Sequence, residues 1–182
     1  MTAPVTYTVH TAESATTVFA ALVCLYAVVY AEPPYAEGPE QVAGFADGLP
    51  DESRRPGFTL VVAEDADALV GAAYGWTMPA GRWWRRADAE PPADLRAADK
   101  FAVLEWIVHP ERRGAGIGAE LIRRLLDGRP ERWATLSSNP AAPARIIYQR
   151  AGWQWVGGSA MPDGTPMHLL ALPLPVAPVQ RP

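Results

Sequence analysis

The sequence predicts an α+β domain in which strands and helices mix along the chain. Its 182 residues suit one domain, since typical domains hold about 100 to 200 residues. Apolar segments with strand-like patterns are interspersed with segments of helical periodicity. A turn with three glycines joins one of these strands to an amphipathic helix. We therefore expect a single domain over residues 1–172, followed by a Pro-rich tail over 173–182.

The N-terminal third is predicted to hold one strand and two helices. Val5 to His10 alternate between apolar and polar residues, as in a short strand. The stretch from about Glu13 to Ala31 has the character of a long helix, which Pro33-Pro34 ends. A second helix fits Pro39 to Leu49, because proline is favoured at a first helical position and Gly-Leu-Pro closes the segment. A loop beginning at Pro34-Tyr35 joins the two helices.

The remaining elements alternate in type along the chain. Phe58 to Ala63 and Leu69 to Thr77 are β-prone runs joined by a polar turn, which predicts an antiparallel hairpin. Met78 to Lys100 is predicted to be a long loop, with a turn of helix near Pro92 to Ala98, and loops of this length are often functional. The later elements are a strand over Phe101 to Val108, a helix over Ile117 to Leu126, a strand over Arg132 to Leu136, a helix over Ala142 to Arg150, and strands over Trp153 to Val156 and Met167 to Leu172.

Composition and charge narrow the class of protein. The chain is 49% hydrophobic and 20% charged, as globular proteins are. Its net charge is −4, which argues against nucleic-acid binding because that needs a basic face. No Lys or Arg precedes Arg54, so the N-terminus lacks the basic region of a secretory signal. The apolar run Val18 to Ala31 is shorter than the roughly 20 residues of a membrane span. We expect a cytoplasmic protein without membrane contact, and Cys24 as a small core residue.

The glycine turn Arg113-Gly114-Ala115-Gly116-Ile117-Gly118 predicts a phosphate site. Glycines let successive backbone N–H groups converge on an anion, and the dipole of the helix that follows adds positive charge. A plain strand-to-helix turn that needs glycine for its backbone angles is the structural alternative. Three glycines in five residues favour the phosphate site.

Two other phosphate-binding motifs fit the turn less well. Gly114-X-Gly116-X-X-Ala119 matches the dinucleotide-binding fingerprint, but that fold needs an acidic residue at the end of the next strand. Here the next strand ends in Ser137-Ser138-Asn139, and only 64 residues follow Gly118. A P-loop is excluded because no Gly-Lys-Ser/Thr follows the glycines.

The segment from Leu104 to Leu121, LEWIVHPERRGAGIGAEL, resembles the acetyl-CoA-binding motif of the GNAT superfamily of N-acyltransferases. Ala144 to Trp153, ARIIYQRAGW, resembles the family's second motif, and the element order from Val5 to Leu172 matches the family's plan. The resemblance implies a mixed, mostly antiparallel sheet of about six to seven strands flanked by helices, with strands four and five splayed. Two positions depart from the family pattern, since Glu111 stands where Gln or Arg is common and Asn139 lies nine residues before Tyr148 instead of seven.

The resemblance also implies where the acyl donor, acetyl-CoA, binds. The backbone from Arg113 to Ala119 would hold the pyrophosphate. Trp106, Ile107 and Val108 on the fourth strand would bind the pantetheine arm, and a backbone N–H of that strand would stabilise the oxyanion. Asn139 is the further residue that we assign to the coenzyme. Arg112, Arg123 and Arg124 could also reach phosphates, but arginines on a helix face are more often solvated.

Two side chains are candidates for proton transfer. Glu105 is the only charged residue in the predicted strand Phe101 to Val108, and by resemblance a carboxylate on the fourth strand is a common place for the family's base. Burial would raise its pKa and suit it to that work; the alternative is an exposed face of the strand or a bulge. By resemblance, Tyr148 would give a proton to the departing CoA thiolate, with helix packing as its alternative role.

The acceptor site is predicted from aromatic residues in the parts that usually form it in this family. Tyr30, Tyr35, Trp76, Trp83 and Trp84 could wall a pocket for a flat or cationic group, and core packing with a tryptophan-rich lid is the alternative. Arg82, Arg85 and Arg86 would suit an anionic acceptor, whereas the seven acids and absence of basic residues in the first 53 positions favour a cationic amine.

We therefore expect an N-acetyltransferase that transfers an acetyl group from acetyl-CoA to a primary amine of a small molecule or peptide by direct attack. The alternative is a non-catalytic acyl-CoA-binding regulatory module of the same fold. The three histidines lack metal-ligand spacing, so we expect no metal. A homodimer is possible, by resemblance to families that dimerise.

Overall fold

The structure is a computed structural model that describes residues 4–66 and 68–176. It confirms the predicted alternation of strands and helices, including the turn of helix in the long loop. The strands are β1 Thr6–His10, β2 Thr59–Asp65, β3 Ala68–Met78, β4 Lys100–Val108, β5 Trp133–Ser138, β6 Gln154–Ala160 and β7 Pro166–Pro173. The α-helices are α1 Ala12–Ala15, α2 Phe19–Tyr30, α3 Pro39–Ser53, α4 Ala93–Ala97, α5 Ile117–Leu126 and α6 Ala144–Arg150.

The strands form a seven-stranded sheet in the order β1-β2-β3-β4-β5-β7-β6. β1 with β2, β2 with β3, β5 with β7, and β6 with β7 pair antiparallel. β4 and β5 pair parallel, through Lys100–Val103 and Trp133–Leu136. The mixed, mostly antiparallel sheet confirms the predicted fold class, and the parallel pair is consistent with splayed fourth and fifth strands.

The described chain divides into two compact units. The first comprises the residues up to Trp76 together with Leu104–Leu125, and the second comprises Thr77–Val103 together with the residues from Leu126 onward.

In the first unit, α2 and α3 pack on one face of the strands. Leu22, Leu25, Tyr26 and Val29 of α2 are buried, at the i, i+3, i+4, i+7 spacing of one helix face. They join a core cluster with strand residues such as Leu60, Val62, Ala72, Tyr74 and Ile107. Cys24 lies off this stripe and is exposed, so its predicted core position is wrong.

The N-terminal helical run has about the extent that the sequence predicts, from Glu13 to Ala31. It extends from Ala12 to Tyr30, 19 residues with a mean hydropathy of 1.8, and is long and apolar enough to cross a membrane by length and composition. Core helices of soluble proteins meet the same criterion. The short length of the apolar run Val18 to Ala31 is therefore no argument against a membrane span. The structure shows one face of α2 buried in the core.

The second helix passes the proline at which it was predicted to end. α3 continues to Ser53 with Pro50 inside it, so the predicted end at Leu49 is wrong. Leu49 and Ser53 are both buried, and the Ser53 hydroxyl donates a hydrogen bond to the Pro50 carbonyl (3.0 Å). Packing of this last turn thus compensates for the backbone hydrogen bond that is lost because proline has no N–H.

Helix α5 packs on the opposite face of the strands in the first unit. Neighbouring strand residues point to opposite faces, and Gly71 of β3 precedes Ala72, which belongs to the core beneath α2 and α3. A Cβ atom at Gly71 would come within 2.9 Å of Leu121 and 3.0 Å of Ile117. Glycine is needed here because it lets α5 approach the sheet closely.

The second unit anchors the long loop that the sequence predicts between β3 and β4. Asp88 and Gly158 of β6 exchange two hydrogen bonds of 3.0 and 3.1 Å. The Trp84 indole donates to the Thr135 hydroxyl of β5 (3.0 Å). β6 runs to Ala160, beyond its predicted end at Val156, because its pairing with β7 continues through a register shift between Trp155 and Gly157.

Candidate active site

The glycine turn has the geometry of an anion cradle. A 3-10 turn over Pro110–Arg112 follows β4, and His109 Nδ1 accepts a hydrogen bond from the Glu111 N–H there. Gly114 and Gly116 have φ angles of 79° and 82°, which disfavour other residues. A Cβ atom at either position would have nothing within 4 Å, so the backbone is open above the turn. Since the first N–H groups of a helix lack intrahelical partners, the turn into α5 suits a phosphate.

The outer face of β4 supports this turn directly. The Trp106 indole N–H donates to the Gly118 carbonyl at 2.8 Å. A Cβ atom at Gly118 would lie 3.4 Å from that indole nitrogen and 3.5 Å from Val108. Strand and helix therefore meet closely where the glycine turn ends and α5 begins.

Arg113 links the turn to the segment that follows α2. Its Nε donates to the Val108 carbonyl (3.3 Å), and its Nη1 donates to Glu32 (2.7 Å). Both charged side chains are nearly half exposed, at 49% and 43%. The guanidinium is thus held beside the turn by a solvent-accessible ion pair, which is weak enough to exchange for a phosphate.

The other arginines predicted near the turn are held by acidic residues. Arg112 pairs with Asp65 of β2. Arg123 and Arg124 both bind Glu120 on α5, and the hydrogen bonds from Arg123 lead the effects that hold the pKa of Glu120 at about 2.

Glu105 lies on the opposite face of β4 from Trp106, toward α2. The Tyr30 phenol of α2 donates a hydrogen bond of 2.5 Å to its carboxylate. Burial raises the pKa of Glu105 to about 8, the bond from Tyr30 opposes this rise, and the charges of Glu52 and Glu37 add to it. The structure therefore places Glu105 on the inner face of the strand and in the pKa range of a base that works near neutral pH.

Two more tyrosine–carboxylate pairs surround Glu105. Tyr26 donates to Glu37 and Tyr74 donates to Glu52, both at 2.6 Å. Burial, reinforced by neighbouring carboxylates, raises the pKa of each of these two phenols and of Tyr30. All three tyrosines are therefore neutral donors. We call the three pairs, Tyr26–Glu37, Tyr30–Glu105 and Tyr74–Glu52, the tyrosine–glutamate cluster.

Some of the predicted acceptor residues meet in this cluster. The ring centroids of Tyr30 and Tyr26 are 4.3 Å apart, and those of Tyr30 and Tyr35 are 4.7 Å apart. Trp76 packs against the same core, and Arg55 lies over its ring. Trp83 and Trp84 belong to the second unit.

Sequence reasoning predicted Tyr30 and Glu105 but missed both members of the other two pairs. Glu37, Glu52, Tyr26 and Tyr74 do not belong to either motif. The only sequence signal was the excess of acids before Arg54. Their convergence depends on the packing of α2 and α3 on the sheet.

The second predicted proton carrier lies in the second unit. Tyr148 of α6 is half-buried, and its ring contacts Trp153 edge-on, with centroids 6.4 Å apart. The buried Asn139 caps the turn before α6, because its Oδ1 accepts from the Ala141 N–H at 2.9 Å. A cavity of about 310 Å³ in this unit is lined by neither residue, but by others that include Arg145, Gln149, Trp155 and His168.

Among residues 4–66 and 68–176, no group of three or more His, Cys, Asp or Glu side chains could hold a metal ion.

A family model for the acetyltransferase (GNAT) domain matches residues 56–155, more than half of the chain. The chain belongs to the GNAT acetyltransferase family. The match covers the glycine turn, Glu105 and Tyr148. No curated protein sequence matches the chain.

Solved structures of GNAT proteins share the fold over nearly the whole chain. A putative GNAT acetyltransferase from Desulfovibrio desulfuricans is 16% identical with a TM-score of 0.64, covering 96% of this chain and 100% of that one. An aminoglycoside 6'-acetyltransferase type Ii is 17% identical with a TM-score of 0.64, covering 97% and 99%. The PaiA N-acetyltransferase from Thermoplasma acidophilum, solved with coenzyme A, is 12% identical with a TM-score of 0.63, covering 94% and 99%.

Proposed function

We propose that this GNAT protein transfers an acetyl group from acetyl-CoA to a primary amine of a small molecule or peptide by direct attack. The observation that carries the proposal is the position of Glu105. Its carboxylate is half-buried on β4 with a pKa of about 8, and the next residue, Trp106, supports the coenzyme turn from the other face. The same short stretch of strand thus serves both the base and the acyl donor.

On the donor side, the backbone of Arg113 to Ala119 would hold the pyrophosphate of acetyl-CoA, and Arg113 could exchange Glu32 for a phosphate oxygen. The backbone of Trp106 to Val108 would bind the pantetheine arm, and an N–H of this stretch would stabilise the oxyanion. The open space above Gly114 and Gly116 fits this role. We assign Asn139 to the coenzyme on the family resemblance alone.

On the acceptor side, Glu105 takes a proton from the amino group, either from its ammonium form before attack or from the nitrogen during attack. The amine nitrogen forms a bond to the acetyl carbon, and the carbon–sulfur bond breaks. Tyr148 would donate a proton to the departing thiolate. A Tyr148→Phe variant is expected to release thiol more slowly with little change in acetyl-CoA affinity, and full turnover by this variant would remove the assignment.

Two relatives by fold indicate the breadth of acceptors in the family. One solved structure is an aminoglycoside 6'-acetyltransferase, and another is the ribosomal-protein-S18-alanine N-acetyltransferase from Escherichia coli (17% identity, TM-score 0.59). A small-molecule amine and a protein alanine both fall within the acceptor class proposed for this chain. A cytoplasmic location and a homodimer stay predictions.

The proposal is tested in two steps. Acetyl-CoA should raise the melting temperature, because a ligand that binds only the folded state stabilises it. A Gly116→Ala variant should bind acetyl-CoA with a Kd about tenfold higher, and its melting temperature should rise less. The reason is that the positive φ of this position costs an L-residue about 1–2 kcal/mol. Gly164→Ala, in a turn at φ 88° outside the proposed site, is the matched control.

Thiol release from acetyl-CoA is then measured against a panel of polyamines, aminoglycosides, amino acids and peptide N-termini. Amine-dependent release supports the enzyme. Acetyl-CoA binding without release for any amine indicates the alternative, a non-catalytic acyl-CoA-binding module, and the lack of both contradicts either function.

A further inference from the structure

The cavity of about 310 Å³ in the second unit carries an inference about a further ligand, which does not depend on acetyl transfer. Part of its lining comes from neighbouring strands of the sheet. Ser138 at the end of β5 pairs with His168 of β7, and Trp155 of β6 pairs with Leu170 of β7. Residues paired across strands lie on one face, and so do His168 and Leu170, which are two positions apart. These four residues therefore form one floor for the cavity.

Helix α6 turns its polar residues toward this cavity. Arg145 and Gln149 both line it, and residues four apart lie on the same face of a helix. The apolar Ile146 and Ile147 are instead more than half exposed, and none of the described residues of α6 is buried. A surface helix normally packs its apolar face inward and leaves its polar face in water. The reversed orientation indicates that Arg145 and Gln149 are placed to bind a ligand.

The charge of the lining favours an anion. The guanidinium of Arg145 is always positive and only donates hydrogen bonds, and Gln149 and His168 can each donate as well. No acidic residue is among the described residues that line the cavity. None of the ion pairs within residues 4–66 and 68–176 includes Arg145. A carboxylate fits this site because its two oxygens can accept parallel hydrogen bonds from one guanidinium.

The apolar part of the lining is aromatic. The Trp155 indole is more than half exposed although it borders the cavity, and the buried Trp153 lines the cavity too. The ring of Trp155 meets the His168 imidazole edge-on, with centroids 6.4 Å apart. Such an exposed indole is a surface on which another aromatic ring can stack. Small-molecule sites span about 300–1,000 Å³, and this cavity lies at the lower end of that range, so the ligand is small.

We propose that this cavity binds a small aromatic carboxylate. The carboxylate accepts hydrogen bonds from Arg145, with Gln149 or His168 as a further donor, and the aromatic ring stacks on Trp155. None of these residues is among those assigned above to the coenzyme or to the acceptor. The site is therefore an addition to the proposed function, and its ligand can be sought whether or not acetyl transfer is detected.

The test compares two ligands that differ in charge and have nearly the same shape. Calorimetric titration of indole-3-acetate and of indole-3-acetamide into the whole chain measures binding without turnover. We expect indole-3-acetate to bind at least tenfold more tightly, because a charged acceptor strengthens the hydrogen bonds of a guanidinium. Equal affinities for the two ligands, or no binding of indole-3-acetate at millimolar concentration, would overturn the proposal.

Variants locate the bound ligand. Arg145→Met and Trp155→Ala should each raise the Kd of indole-3-acetate at least fivefold, and both positions are exposed, so the fold should tolerate these changes. Arg150→Met is the matched control, because Arg150 is an exposed arginine of the same helix and is not among the lining residues. Its Kd should stay within about twofold of wild type. An equal loss of binding in Arg145→Met and Arg150→Met would show a general effect of positive charge and contradict the assignment.

A titration with coenzyme A present separates this cavity from the coenzyme site. Indole-3-acetate should bind about as tightly at saturating coenzyme A as without it, and Arg145→Met should keep the wild-type affinity for coenzyme A. Loss of indole-3-acetate binding at saturating coenzyme A, or weaker coenzyme A binding by Arg145→Met, would show that the cavity belongs to the coenzyme site. Either result would overturn the proposal and leave acetyl transfer in place.

Discussion

Strand β4 carries a buried lysine, Lys100, and a half-buried glutamate, Glu105, whose surroundings differ. At its first residue, the fully buried Lys100 donates hydrogen bonds to the carbonyls of Ala98 (2.8 Å), Leu95 (3.3 Å) and Pro79 (3.4 Å). Five residues later, Glu105 accepts a bond from a side chain, Tyr30, and faces two like charges. Burial disfavours both charges, but Lys100 has three carbonyl acceptors, whereas Glu105 has the Tyr30 donor and two like charges nearby.

The contrast is the one expected between a structural charge and the base that we propose. Lys100 closes the long loop by binding the carbonyl of Pro79 near its start and those of Leu95 and Ala98 near its end. Glu105 is held in a state that takes up a proton readily, which is the property of a base rather than of a structural link. Each of the following predictions tests one side of this difference.

The largest effect is expected for Glu105→Gln. The variant keeps the shape of the side chain but cannot accept the amine proton, so kcat should fall about 10²- to 10⁴-fold, the usual contribution of a general base. Acetyl-CoA affinity, measured by calorimetry, should stay within about twofold because the turn is untouched. A loss of both kcat and coenzyme affinity would show that Glu105 acts through the fold instead.

The two groups should also give opposite dependences of stability on pH. The pKa of Glu105 is 4.5 when unperturbed and about 8 in the fold, so between these values the folded state holds the proton that the unfolded state has lost. Stability from this group is present below pH 4.5 and lost as the pH rises to about 8, at up to about 1.4 kcal/mol per unit. In urea unfolding, the free energy of unfolding of Glu105→Gln should rise relative to that of wild type as the pH increases from 4.5 to about 8.

Burial lowers the pKa of Lys100, so its contribution has the reverse sign and falls as the pH drops below its unperturbed value of 10.5. The difference in free energy of unfolding between wild type and Lys100→Met, measured as a function of pH, checks this. The difference should become less favourable to wild type as the pH drops below 10.5. A fall in the stability of Glu105→Gln relative to wild type on going from pH 5 to pH 8 would contradict the account of Glu105.

A smaller, purely structural effect is expected for Lys100→Met at neutral pH. Without the ammonium group, the carbonyls around α4 lose their donor, and the free energy of unfolding should fall by about 1–3 kcal/mol. Since no step of catalysis uses this side chain, kcat of the folded variant should match wild type at a temperature well below its melting point. A loss of kcat in Lys100→Met with an unchanged free energy of unfolding would contradict the purely structural role of Lys100.

The smallest effect is a shift of the pH at which Glu105 ionises. Tyr30→Phe removes a hydrogen bond that favours the carboxylate, so the pKa of Glu105 should rise. Glu37→Gln removes a like charge, so the pKa should fall. The two variants should therefore move the acidic limb of the pH–rate profile in opposite directions, and a shift of both in one direction would contradict the cluster.

The sequence contained enough information to predict the glycine turn and the helix that follows it. Three glycines after an apolar strand and before an amphipathic helix encode the turn locally, because backbone angles at Gly114 and Gly116 depend on those residues themselves. Glu105 was predictable as the charged residue within an apolar strand, but which face it occupies was not, since strand facing depends on register and on what packs above.

The surroundings of Glu105 could be predicted only in part. Tyr30 and Tyr35 are brought together as expected, but the partners of the cluster come from separate elements and no local pattern pairs them. The predictions that Cys24 is a core residue and that α3 ends at Leu49 were also wrong. In both places tertiary packing decided the outcome, and it is not written in the propensity of a single segment.

The most direct test of the account is the pH dependence of kcat/KM for amine-dependent thiol release from acetyl-CoA, measured for wild type and Glu105→Gln. The account predicts that wild-type kcat/KM rises with pH through a limb near pH 8, where Glu105 loses its proton, and that this limb disappears in the variant along with most of the rate. A Glu105→Gln enzyme that keeps both the wild-type rate and the limb near pH 8 would contradict it.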